Sequence, residues 1–151
     1  MSGKFRNGFT LVELLVLIAV LGVVAVIAVP SFSGLIQRNQ LTTTNNDLVG
    51  ALNMARAEAV RISAPVSVVP NATFTDGYQI TAGGGAVISE FGGASGPYTI
   101  ALTGNNPRFS ATGLLLSGGS SFDVCRASGE DGTRITLTAG GQIRSIGITC
   151  P

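Results

Sequence analysis

Hydrophobic residues are distributed along this chain in three regimes. From Phe9 to Val29 they run almost unbroken, FTLVELLVLIAVLGVVAVIAV, with Glu13 as the single charge. As a helix rising about 1.5 Å per residue, that run spans roughly 31 Å, the hydrocarbon thickness of a bilayer. A buried core helix is a poorer reading, because soluble helices of this length keep a polar face. From Ser31 to Ile62 the pattern turns amphipathic. Leu48, Leu52, Ala55, Ala59 and Ile62 follow three- and four-residue steps and form one stripe, which Arg56, Glu58 and Arg61 avoid. The polar stretch 42–47 (TTTNND) is weaker helix, a frayed middle or a cap region, and Pro65 stops the helix.

Beyond Pro65 the apolar runs are short and partly alternating, at 65–69, 78–81, 86–90, 98–102, 121–125, 133–138 and 142–148. Clusters of Gly, Asn, Pro and Ser separate them. The pattern predicts an α+β chain. A long N-terminal helix, half transmembrane and half amphipathic, packs its second half on an antiparallel β-sheet domain.

Composition removes most chemistry. Histidine is absent, only 11% of residues are charged, and the net charge is +1. No His-based triad or His-zinc site can form. The sole lysine, Lys4, stands before the apolar run, so a Ser–Lys pair is out of reach. The glycine clusters at 83–85 and 92–93 lack the Lys-Ser/Thr of a phosphate loop. Neither an enzyme nor a bound cofactor or metal is expected. Lys4 and Arg6 precede the apolar segment, which predicts a cytoplasmic N-terminus and an exported remainder. In an oxidising compartment Cys125 and Cys150 are expected to pair, with two free thiols as the other reading.

The junction before the apolar run reads Arg6-Asn7-Gly8-Phe9-Thr10-Leu11-Val12-Glu13. It resembles the class III signal of type IV pilins and type II secretion pseudopilins. The resemblance implies cleavage by prepilin peptidase between Gly8 and Phe9, and N-methylation of Phe9 by the same enzyme. It therefore divides the chain into a leader (1–8), a membrane and filament-core helix (9–29), an amphipathic helix (30–62) and a β-rich domain (63–151). Glu13 is costly in an apolar segment without a partner. In this family the partner is the N-terminal amine of a neighbouring subunit, so the resemblance makes Glu13 an assembly residue. Gly22 and Pro30 weaken the same helix. Either they kink it, or, as in pilin filaments, they mark where the stem unwinds and stretches.

The helix-closing stretch from Asn53 to Arg61 (NMARAEAVR) looks like the ARSEAI-R segment of the GspH/FimT family of minor pilins and pseudopilins. The tail is similar too, from Ser110-Ala111-Thr112-Gly113 through Phe122–Cys125 and Arg134–Leu137 to Gly141–Arg144 and Cys150-Pro151. Residues 71–106 carry no family signal. The resemblance implies a minor type IV pilin that helps prime pilus assembly and sits in the tip complex. It would be held in the bacterial inner membrane first and in the pilus filament afterwards, with other pilins as partners. Two alternatives stand beside it. One is a pseudopilin of type II secretion. The other is a minor pilin that binds double-stranded DNA in natural transformation, since some FimT-like proteins use a Gly-Arg-x-Arg motif near the C-terminus. Here Gly141-Gln142-Ile143-Arg144 keeps Arg144 and replaces the first Arg by Gln142. Arg134, on a presumed neighbouring strand, is the second DNA candidate. Charge weighs against that alternative. After Ile62 there are four arginines against five acids, and DNA affinity rests mostly on neutralised phosphates.

Overall fold

The structure is a computed structural model and describes residues 9–151. The proposed cut at Gly8 therefore touches a residue outside the described part. One helix, α1, runs from Leu11 to Arg61, and the helical assignment is unbroken across Gly22 and Pro30. By contact density the chain separates into a unit ending at Gln37 and a unit from Arg38 to Pro151.

In the first unit the helix stands alone. Every side chain from Leu11 to Ile27 is exposed, and Glu13 is the one charge among them. By length and composition this helix can cross a membrane.

In the second unit α1 packs its stripe on a β domain. Leu48, Leu52, Ala55 and Ala59 are fully buried, joined by Ala51, while Ile62 packs at the margin of the core. The polar stretch 42–47 stays helical because tertiary contacts override its propensity. Thr44 is buried, and its hydroxyl accepts the Ser95 N–H at 2.9 Å, while the Thr42 hydroxyl donates to the Arg38 carbonyl at 2.8 Å. At the far end Ser63 takes a left-handed φ of 52°. The Ala64 N–H then reaches the Ala59 carbonyl and the Ser63 N–H the Val60 carbonyl. This pairing satisfies carbonyls that the ending helix leaves open, just before Pro65.

Eight strands follow: β1 (Val66–Pro70), β2 (Gly77–Ala82), β3 (Val87–Gly92), β4 (Thr99–Thr103), β5 (Arg108–Phe109), β6 (Ser120–Cys125), β7 (Asp131–Leu137) and β8 (Ile143–Thr149). They form two four-stranded antiparallel sheets, ordered β3-β2-β1-β5 and β4-β6-β7-β8. The sequence pattern predicts a single sheet and lacks β5, which at two residues is too short to alternate. Phe109 of β5 also bridges to Leu115, and the Leu115 N–H donates to the Ala139 carbonyl in the β7–β8 turn, so one segment links the sheets.

The core lies where both sheets meet the helix. Val66, Val68, Tyr78 and Ile80 enter from one sheet and Phe122, Val124, Ile135 and Leu137 from the other. Phe74 sits between them, edge-on to Phe122 at 4.9 Å, and Tyr78 stacks on Phe91 at 5.5 Å. Burial pushes the Tyr78 hydroxyl well above the ordinary tyrosine range, helped by the charge of Asp47.

Candidate assembly and interaction sites

The candidate assembly site is the first turn of α1. Phe9 is exposed and precedes the helix. Thr10 caps it: the Leu14 N–H bonds the Thr10 carbonyl, and the Glu13 N–H donates to the Thr10 hydroxyl at 3.2 Å. Thr10-Leu11-Val12-Glu13 is thus a capping-box spacing, which the apolar run hides in the sequence. Glu13 lies in the first turn with its carboxylate near the positive end of the helix dipole. Among the described residues no cation pairs with it. Its surroundings are Val16, Leu17, Val20 and Leu21, all exposed. An exposed carboxylate at the edge of an otherwise apolar helix is suited to taking a cation from outside the chain.

The arginines of the globular unit divide by partner. Arg134 on β7 grips Asp123 on β6 in bidentate fashion, at 2.6 and 2.7 Å. The strand register places these two residues opposite each other. The guanidinium holds the Asp123 carboxyl below the usual carboxylate range, mainly by this hydrogen bonding. Arg126 pairs with Glu130, and Arg61 with Glu58. Arg56, half-buried on α1, donates its Nε–H to the Gly113 carbonyl at 3.0 Å and lies against Gly141. Both glycines have positive φ, 77° and 73°, so one arginine ties the helix end to two tight turns. Nothing in the spacing of the sequence discloses that contact.

Arg144 and Arg134 do lie on neighbouring strands. Thr136 opposes Arg144 and Arg134 opposes Ile146, which puts both arginines on one face. Of these two, Arg144 is exposed and has no acidic partner among the described residues. The Arg134 charge is already met by Asp123.

Cys125 at the end of β6 and Cys150 just past β8 form a disulfide, with Cα atoms 5.8 Å apart. Gly132 on β7 lies beneath it. A Cβ there would overlap both sulfurs, so this position admits only glycine without rearrangement.

The family model for the type II transport protein GspH matches residues 44–141, and the model for the prokaryotic N-terminal methylation motif matches residues 3–29. The chain is 29% identical over 76 residues to a type IV major alpha-pilin of Moraxella bovis, a match covering 50% of this chain and 48% of that one. It is 37% identical over 57 residues to a fimbrial protein of Pseudomonas aeruginosa, covering 38% and 36%. It thus spans about half the length of the first relative and less of the second. In fold it is similar to the crystal structure of the P. aeruginosa type IV minor pilin FimU. The TM-score is 0.64 at 22% identity, over 72% of this chain and 89% of that one. The methylation-motif match and the apolar helix lie at the same end of the chain, which fits anchoring in a membrane. The chain belongs to the GspH family of type IV pilin-like proteins, and is a structural subunit rather than an enzyme.

Proposed function

We propose that this subunit is a minor type IV pilin that primes pilus assembly and takes a place in the tip complex. One observation carries the reading. A capped, fully exposed apolar helix bearing the lone carboxylate of Glu13 leads into a domain whose match to the GspH model covers residues 44–141. Cleavage after Gly8 creates the amine at Phe9, which the same enzyme methylates. That amine is the cation that Glu13 of the next subunit lacks. Residues 9–29 form the membrane and filament-core span, 30–62 the amphipathic stem, and 63–151 the periplasmic domain, with the N-terminus cytoplasmic. Gly22 and Pro30 mark the stretch of stem that extends on assembly. Deleting this subunit from its host is expected to lower filament number by about tenfold, a shift of ~1.4 kcal/mol in the nucleation barrier. The major pilin should stay in the membrane. Undiminished filaments in the deletion strain would remove the priming role.

Two other readings each rest on one observation. The name of the matching model favours a pseudopilin of type II secretion. The deletion then leaves pili intact and stops secretion. The unpaired Arg144 favours capture of double-stranded DNA. If DNA binds, Arg144→Ala weakens it at every sequence and flattens the salt slope by about one unit. Filter-binding across a salt series reads this directly, and an unchanged slope takes Arg144 out of the site. Arg134→Ala is the less informative variant, because it also strands Asp123.

A further inference from the structure

β8 is the edge strand of its sheet, and among the described residues no strand pairs with its outer side. The Cys150 N–H bonds the Glu130 carbonyl, and the Thr138 N–H bonds the Gln142 carbonyl, at the two ends of an unbroken register with β7. Antiparallel ladders alternate, so Arg144, Ile146 and Ile148 exchange bonds with β7. The N–H and C=O groups of Ile143, Ser145, Gly147 and Thr149 therefore point away from the sheet, and among the described residues none has a partner. The opposite edge is treated differently. On β4 the Ile100 N–H is capped by the Thr75 hydroxyl at 2.8 Å. Natural edges are normally blunted by charged side chains, proline, a bulge or a covering loop. β8 has no proline or bulge, its single charge is Arg144, and it carries Ile146 at 55% exposure. It also runs beside the stem, where the Ser145 hydroxyl donates to Asn45 of α1 at 3.0 Å.

We propose that the open edge of β8 docks an extended segment of another pilin-type subunit, added as a fifth strand of the β4-β6-β7-β8 sheet. This rests on the assembly reading above. The segment presents an acidic side chain across from Arg144 and apolar ones across from Ile146 and Ile148, all on the outer face. The charge complement is specific, because Arg144 is the one charge on the strand and has no acid of its own among the described residues. A second copy of this chain, paired through its own β8, does not supply that complement, because β8 carries no acidic residue.

The test compares the full chain in detergent with the same chain in sheared filaments, by residue-resolved hydrogen exchange. In the free chain Arg144, Ile146 and Ile148 amides are protected and those of Ile143, Ser145, Gly147 and Thr149 are open. Assembly is expected to slow the four open amides by at least ~100-fold. Gly147→Pro removes one outward N–H and no internal ladder bond, so a folded G147P chain should leave the filament fraction while Gly147→Ala remains. A wild-type chain that never enters filaments overturns the assembly reading itself. A wild-type chain that enters them with the four amides still open overturns the edge proposal alone, whatever the fate of the proline variant.

Discussion

Replacing both Cys125 and Cys150 by serine is expected to destabilise the globular unit by about 3.5 kcal/mol, the chain-entropy value for a loop of this size. The bridge joins residues 25 apart. It closes the segment that contains β7 and β8, and β8 is held to the sheet on one side only. Without the bridge the last strand frays from its free end, because past Thr149 the backbone keeps only the Cys150–Glu130 and Gly129–Cys150 bonds. A domain of this size commonly holds 5–15 kcal/mol in all. The loss should therefore show as a fall in melting temperature of about 15 °C, followed at the tyrosines in detergent. A double variant that melts within a few degrees of the parent would mean that packing alone secures β8.

The second large effect is expected at Glu13, and it separates two roles that coincide there. The backbone of Glu13 belongs to the helix cap, since its N–H donates to the Thr10 hydroxyl. Its carboxylate is free to act elsewhere. Glu13→Gln keeps the cap and removes the charge. The chain should still be cleaved and sit in the membrane, while its share in the filament falls by tenfold or more, at least ~1.4 kcal/mol of lost pairing. Thr10→Val does the reverse. It removes the capping oxygen at about 1 kcal/mol and leaves the carboxylate, so filament entry should persist. If both variants lose assembly equally, the cap is the important feature and the charge pairing is not.

Much of this fold can be read directly from the residues, for physical reasons. An apolar run without a polar face has one stable environment, and a stripe at helical spacing has one way to be buried. Leu48, Leu52, Ala55 and Ala59 all lie at zero exposure. The longer strands were legible because alternation over five or more residues is distinctive. What stayed hidden depends on tertiary register. A two-residue β5 has no period, and the division into two sheets follows from how the 109–115 segment folds back. Thr44 looked like a helix weakness because its partner, the Ser95 amide, is 51 residues away. In the sequence Arg134 reads as a DNA candidate, because its pairing with Asp123 depends on the β6–β7 register. The Thr10 cap was masked by its apolar neighbours. At the candidate sites the chemistry was legible in residue type, and the partners of each side chain were not.

The proposed function requires a chain that is processed at its leader and enters a filament through the new N-terminus. Intact-mass and N-terminal sequencing of this subunit, recovered from sheared filaments, tests that most directly. The expected N-terminus is Phe9 carrying one added methyl group. An uncut chain in the filament, or a chain cut after the apolar segment and released as a free domain, would contradict it.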